Sequence, residues 1–490
     1  MASLRNKDFG LFATSGGGGG GGTGTVVSVN AVSCTPTTLS VTGGPINAAG
    51  TFCICNLAPY SGQAVEVLGS GTCSTYRCCV NNCSAGTYSA ALGGSCNSAS
   101  GNCSGIVSGF KNNAADCYSF IGGGCSNCVC NKGYLYGGIG NGNENLIICG
   151  SNTSILNGAY NCVAGDMGLI LGGSTNTASN NYATIINGLN NTNSGSYSTI
   201  SNGYLNCINT SKSIINGGES NCIIIASNSA AISGGNNNTI SCYSYYTNIG
   251  GGAFNTISTY SGGSNISGGG LNCICCSLYS SISGGVSNCI CNAENSHISF
   301  GCCNLSSCRY STVSGYNNSS SGDYSVISNG KFNSISLQKN AVIISGANNY
   351  IASTAQNCAF SATIINGVGN NTTGGVFDFS TNCFSSAPTN CNTCCFSLIG
   401  NGFQNIATAP YSSIVNGCCN ISCGNYSFIG SGLKNSISGS YGTIVGGCSN
   451  VVATANSSVV GGTCNCVCAG VNSMVLGGTC NFANDTAGYS

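Results

Sequence analysis

The sequence predicts an all-β protein, a parallel β-solenoid of about 24 short coils behind a small N-terminal β module. Three observations predict it. A Gly-x-x-Asn motif recurs twenty-four times between Gly94 and Gly478, mostly in steps of 15 to 17 residues. Each step holds two short strand-like pieces, such as Ser213-Ile-Ile215 and Cys222-Ile-Ile-Ile225, and is too short for two helices. The composition also fits: charged residues are 4% of the 490, Gly numbers 77, and a hydrophobic content of 42% is enough to bury a core.

Taken in order, residues 1–24 read as an attachment tail and tether. Arg5, Lys7 and Asp8 lie in the tail, and residues 16–22 are seven unbroken glycines, which cannot pack. Met1–Leu11 has no apolar stretch of the kind a secretion signal needs, and no run of about 18 apolar residues follows, so no membrane insertion is expected. Residues 25–69 change to period-two runs (Thr25-Val-Val-Ser-Val29, Leu39-Ser-Val41, Thr51-Phe-Cys-Ile54 and Ala64-Val-Glu-Val-Leu68) punctuated by Gly43-Gly-Pro45 and Asn47-Ala-Ala-Gly50. Residues 70–87 form a Cys-rich junction with Cys73, Cys78, Cys79 and Cys83.

The repeat array occupies 88–490. Its plainest units are the three consecutive fifteen-residue blocks at 411–425, 426–440 and 441–455, each opening on a tyrosine. The turn glycines and ladder asparagines pair as Gly417/Asn420, Gly432/Asn435 and Gly447/Asn450, and earlier as Gly188/Asn191, Gly203/Asn206 and Gly218/Asn221. The glycines are expected to need positive φ, and the asparagines to stack along the axis with their amides bonding from coil to coil. One step of 35 residues, Gly367 to Gly402, marks an insertion at about 371–398 containing Pro388, Cys391, Cys394 and Cys395, either an inserted loop or degenerate coils. Ten units place Tyr six residues before the motif Gly, among them Tyr182, Tyr197, Tyr411, Tyr426 and Tyr441. Such a column reads as a packing ladder at a subunit seam rather than a ligand platform.

The 39 cysteines are at a level usual in oxidised proteins. Cys207 and Cys222 hold the same place in adjacent units, as do Cys273 and Cys289, Cys275 and Cys291, and Cys464 and Cys480. A coil rise of about 4.8 Å lies within the Cα separation a disulfide tolerates, so these four pairs are the disulfide candidates, whether within or between chains. Cys-x-x-Cys at 125–128, 273–276 and 391–394 lacks partner pairs at zinc-finger spacing, so no metal site is assigned.

Enzymatic chemistry has little to work with. His297 is the single histidine, in a strand slot where other units carry Ser or Thr, and the acids are scattered singly. No phosphate-binding loop, catalytic residue or cofactor is assigned. Ten basic and ten acidic side chains leave no basic stripe for nucleic acid. Sequons such as Asn152-Thr-Ser and Asn318-Ser-Ser arise from composition alone.

The unit Ser-x-Ile-x-Gly-Gly-x-x-Asn-x-Ile resembles the head repeat of YadA-type trimeric adhesins, Asn-Ser-x-Ala-Ile-Gly-x-x-Ser-x-Ala, over 88–490. That resemblance implies a left-handed parallel β-roll in which three chains pack side by side or intertwine, hence a homotrimer. Asn stands for the family's Ser, Cys is frequent, and no coiled-coil stalk or membrane barrel follows Gly478, so an autotransporter is not expected. The order Val-Val-Ser-Val … Leu-Ser-Val-Thr-Gly-Gly-Pro-Ile-Asn-Ala-Ala-Gly-Thr-Phe, from residue 26 to residue 52, resembles a segment near the base of phage and large-virus fibre proteins. Together with the cysteines, it implies a fibre or adhesin on the virion surface of a giant DNA virus. Such a fibre would be made in host cytoplasm, joined to the capsid through its N-terminal tail, and directed at a host receptor or glycan. The competing expectation is a soluble ice- or glycan-binding solenoid, and a sugar-cleaving β-helix enzyme would need clustered carboxylates that are absent.

Overall fold

The computed structural model describes residues 66–484, without 78–80, 131–132, 134, 353–360, 374–375, 379–382, 387–388 and 391–394. The expected tail and tether at 1–24, and nearly all of the β module expected at 25–69, lie outside the described residues. Every helix or strand among the described residues is a strand, and the strands build a β-solenoid. The chain forms two compact units, 1–172 and 173–490.

Each coil carries two strands of about two residues, and each strand pairs in parallel with its counterpart one coil on. In the first unit the leading strands run from Ala90–Ala91 through Gly105–Ile106 and Phe120–Ile121 to Gly138–Ile139 and Ser154–Ile155. The trailing strands run from Ser98–Ala99 through Asn113–Ala114 and Cys128–Val129 to Leu146–Ile147 and Cys162–Val163. The second unit is built on two ladders of the same kind, for example Thr184–Ile185 on Thr199–Ile200 and Thr192–Asn193 on Cys207–Ile208. Single-residue parallel bridges just after the motif glycine, such as Cys418 to Leu433 and Leu433 to Cys448, make a third ladder.

Period two explains the core. One residue of each strand pair faces in and the other faces out. The inward residue of the leading strand is isoleucine or valine almost throughout, and Ile185, Ile200, Ile215, Ile414, Ile429 and Ile444 are fully buried. On the trailing strand the inward residue varies from Ala178 through Asn193 and Ile208 to Ser422 and Ile437, all buried. Where serine replaces the aliphatic residue, it finds a partner. Ser422 Oγ lies 2.6 Å from Ser427 Oγ, and Ser427 donates to the Gly424 carbonyl.

The turns depend on left-handed backbone. Gly432 shows why the motif favours glycine. Its φ is +113°, and an added Cβ would sit 2.2 Å from the Gly447 carbonyl oxygen of the next coil. Two further residues per coil are left-handed although they are not glycine: Tyr411, Tyr426 and Tyr441, and Cys419, Lys434 and Ser449, all between +54° and +58°. Their N–H groups reverse the hydrogen-bond direction. Ser413 N donates forward to Ser427 O, whereas Tyr411 N donates backward to Cys395 O and Cys419 N backward to Phe403 O. Left-handed backbone costs a non-glycine residue about 1–2 kcal/mol, which a buried isoleucine, contributing about 1.5–3 kcal/mol, can offset. Coils of seventeen residues place their extra length at this corner, where Ile225, Ala226 and Ser229 are all left-handed.

Two regions depart from the regular array. The junction at 70–87 is part of the ladder, because Thr75–Arg77 pairs in parallel with Ala90–Ala91 and Cys83–Ser84 with Ser98–Ala99. Asn82 already serves as a ladder asparagine, accepting from Asn97 N at 3.0 Å, but Cys79 stands where the motif has Gly. Glu66–Leu68 pairs antiparallel with Thr75–Arg77 at this end. The 35-residue step hides no coil. Val368 bridges directly to Phe403 and Thr363–Ile364 pairs with Leu398–Ile399, so the coils of Gly367 and Gly402 are neighbours. Between them the chain leaves the solenoid as an antiparallel excursion, Thr372–Thr373 with Thr389–Asn390 and Val376–Asp378 with Cys383–Ser386.

Candidate functional site

A solenoid has no single cleft by construction, so its chemistry lies in columns of equivalent residues. The innermost is the asparagine ladder. Asn435 Oδ1 accepts from Asn450 N at 3.0 Å. Its Nδ2 donates to Ser431 O at 3.2 Å, Gly447 O at 3.0 Å and Asn420 Oδ1 at 3.1 Å. Asn191, Asn206, Asn221, Asn420 and Asn450 repeat the arrangement, each accepting the next ladder N–H on its Oδ1. The amides thus bond chiefly to backbone, with amide-to-amide contacts added in about half of the coils. Gly188, Gly203, Gly218, Gly417, Gly432 and Gly447 flank them with φ from +87° to +116°.

The outward face of the trailing strand carries the cysteines. From coil to coil it reads Thr177, Thr192, Cys207, Cys222, Thr239, Thr256, Cys273 and Cys289, so each of these four cysteines has one cysteine neighbour. Cys275 and Cys291 pair in register two residues on, with their Sγ atoms 2.8 Å apart. Cys464 and Cys480 sit at the left-handed position before the ladder asparagine of adjacent coils, both exposed. None of the four cross-coil bridges expected from sequence is closed in the structure, and all eight sulfurs are thiols. In-register parallel neighbours point their Cβ atoms the same way, which brings the sulfurs side by side as hydrogen-bonding thiols.

Among the described residues two disulfides are closed, in a different pattern, Cys128–Cys130 and Cys466–Cys468, each joining residues i and i+2 with Cα atoms 5.8 and 5.5 Å apart. Residues at i and i+2 share a face, so the Cys-x-Cys spacing was the available signal. Cys273-x-Cys275 and Cys289-x-Cys291 share it and lie side by side. Contact polarises the thiols. The hydrogen bond from Cys222 lowers Cys207 to about 7, and the same contact with burial pushes Cys222 up. Likewise the hydrogen bond from Cys273 lowers Cys289 to about 7 while Cys273 rises. Burial first, then contact with Cys291, holds Cys275 at about 12.

The tyrosine column forms the next corner. Tyr411 and Tyr426 stack at a centroid distance of 4.6 Å, Tyr426 and Tyr441 at 5.0 Å, and Phe396 on Tyr411 at 5.0 Å. The rings lie against one another along the axis with their edges exposed. Immediately after the leading strand runs an aliphatic ridge. In the first unit it is Leu92, Val107, Leu156 and Leu171; in the second it is strongest at Ile344, Ile365, Val415, Val445, Val460 and Leu476, all exposed. Between Ser201 and Ser328 the same slot is serine, asparagine or glycine.

Beside the ridge, the missing side chains of Gly346, Gly367, Gly402 and Gly417 leave a shallow groove of about 890 Å³, edged by Asn366, Asn401 and Asn416. Carboxamides there can hydrogen-bond an extended polar ligand. Lys331 is the groove's single charged group, so it offers no acid–base pair. His297 lies on a leading strand with Nδ1 2.6 Å from Ser281 Oγ, a contact between neighbouring coils. Among the described residues no three His, Cys, Asp or Glu side chains converge as metal ligands, and one ion pair, Arg309 with Asp323 at 4.0 Å, is formed.

No protein-family model matches the chain, and no curated protein matches it significantly.

Proposed function

We propose that the protein is a structural, non-enzymatic surface fibre or adhesin, a homotrimer attached through its N-terminal segment to a virion and presenting its repeat array to host or environment. The observation that carries this reading is the exposed aliphatic ridge. Val445, Val460 and Leu476 repeat in one slot of three successive coils, with Leu476 73% exposed, and Val415 holds that slot two coils before Val445, with Gly430 between them. A monomeric soluble protein rarely leaves a contiguous apolar strip uncovered, and a strip that repeats with the coil matches the same strip on an identical chain. The stacked tyrosines, such as Tyr411, Tyr426 and Tyr441, already cover one another's faces and suit a seam less well than the ridge does.

The attachment part of the reading rests on the tail and its seven glycines, and the viral part on the fibre-like segment between residues 26 and 52 and on the cysteine content. A lattice-matching solenoid needs one residue type held along an outward row, and the row Thr177, Thr192, Cys207, Cys222, Thr239 changes type every second coil. Removing residues 1–22 tests the reading. The truncated chain is expected to assemble and melt as the full chain does, yet to lose association with the particle. Failure to assemble would place the tail inside the fold and remove its attachment role.

A further inference from the structure

Five aromatic contacts in the second unit share one geometry that neither the fold nor the proposed fibre role requires. Tyr182 lies on Tyr197 with ring centroids 4.4 Å apart and planes 11° from parallel. Tyr310 lies on Tyr324 at 4.7 Å and 4°. Phe396, Tyr411, Tyr426 and Tyr441 form a continuous stack, at 12°, 3° and 1°. The cause is in the backbone. Tyr182, Tyr197, Tyr310, Tyr324, Tyr411, Tyr426 and Tyr441 all have φ between +56° and +58°, so their Cα–Cβ bonds are parallel and phenol sits over phenol in neighbouring coils. The ring edges bearing the hydroxyls are open, Tyr411, Tyr426 and Tyr441 being 45%, 50% and 57% exposed.

We propose that these stacked tyrosines are sites of oxidative coupling, in which adjacent coils are joined by dityrosine bonds at Tyr182–Tyr197, Tyr310–Tyr324 and along Tyr411–Tyr426–Tyr441. The oxidant is a peroxide acting through a haem peroxidase. Each phenol loses one electron and its hydroxyl proton to become a phenoxyl radical. Two radicals join by a carbon–carbon bond between ring carbons ortho to the oxygens. The hydrogen on each joined carbon then leaves, and each oxygen regains a proton as the ring becomes aromatic again. The net change is the loss of two hydrogen atoms per bond, and one peroxide accepts the two electrons and two protons to give two waters. Coupling competes with diffusion of the radicals, so a partner ring held within 5.0 Å gives an effective concentration that a lone tyrosine lacks. The bond would staple coils at the opposite side of the leading strand from the ridge, and does not depend on the trimer.

The chain contains its own controls. Tyr246 and Tyr279 occupy the same column and are 76% and 68% exposed, more than any stacked member. Their column neighbours are Ser229, Gly263 and Asn295, so neither has a phenol above or below. Accessibility alone therefore ranks Tyr246 and Tyr279 first, whereas stacking ranks them last.

The full-length protein, its thiols alkylated so that they cannot reduce the radicals, would be treated with hydrogen peroxide and a haem peroxidase and mapped by peptide mass spectrometry. A mixture of isotope-labelled and unlabelled chains separates links within a chain from links between chains. The expected result is intrachain links, each lighter by two hydrogens, at the stacked pairs. Tyr426→Phe, which keeps a ring in the stack, should abolish both links in its segment and leave Tyr182–Tyr197 unchanged. Coupling of Tyr246 or Tyr279 as readily as the stacked pairs, links between chains only, or no coupling would each overturn the proposal.

Discussion

The sulfur atoms of Cys275 and Cys291 lie 2.8 Å apart on the outward face of two parallel strands paired in register. Little movement separates that contact from a bond, and Cys273 and Cys289 stand beside it in the same register. Exposure to an oxidant is expected to close cross-coil bridges here, at Cys207–Cys222, or between residues i and i+2 as in Cys128–Cys130. Each cross-coil bridge closes a loop of about fifteen residues and should contribute roughly 3 kcal/mol in the chain-entropy account. Peptide mapping beside thermal melts with and without reductant checks this. Thiols that stay free under oxidant, with an unchanged melting point, would reduce these cysteines to small half-buried hydrophobes.

The polarised pairs make a pH prediction. A lowered pKa means that thiolate forms at lower pH, so Cys207 and Cys289, each near 7, should alkylate fastest at neutral pH, with rates rising through pH 7. Cys222 and Cys273 are pushed up and should label last. Cys222→Ala removes the hydrogen bond and should move the rate profile of Cys207 toward higher pH. Equal labelling of all four would contradict the pairing.

Asn435→Ala tests the ladder. The substitution removes the acceptor for Asn450 N and the donor to Ser431 O and Gly447 O, all at a fully buried position. Each buried group left unpaired costs about 1–3 kcal/mol, so a loss of about 3 kcal/mol or more is expected in denaturant unfolding. Asn425→Ala, at an exposed site, should stay within about 0.5 kcal/mol.

The excursion between Gly367 and Gly402 should be dispensable. The step there is 35 residues against the regular 15, so removing 35 − 15 = 20 residues restores the regular spacing. The stacking of Asn405 N on Asn370 Oδ1 at 3.1 Å already joins the flanking coils. A chain shortened by twenty residues between 373 and 394 should melt within a few degrees of the full chain. A large drop would make the excursion part of the fold.

The repeat was legible because its two ladders need fixed residues at fixed spacing: Gly417 for a turn closed to any Cβ, Asn420 for bonds no other side chain makes, Ile414 for the core. Left-handed tyrosines were not legible. Tyr411 or Tyr426 has no composition cue for positive φ, and only the reversed hydrogen bond to the preceding coil explains it. The coil at Asn82 was missed because Cys79 replaces the motif glycine. The inward slot of the trailing strand was obscured by its tolerance of Ala178, Asn193, Ile208 and Ser422 alike. The cysteine columns were visible, but which sulfur faces which depends on register, and the Cys-x-Cys pairs at Cys128 and Cys466 were overlooked.

The central functional claim is that the exposed ridge is covered by two further copies of the same chain, and the mass of the native particle tests it most directly. Light scattering or native mass spectrometry of the full-length protein is expected to give three times the chain mass of 48.6 kDa. Val445→Asp together with Val460→Asp, on the ridge and away from the buried core, should shift that mass toward one chain without unfolding the solenoid. A stable monomer for the unmodified protein would contradict the trimeric fibre and leave the ridge without a partner.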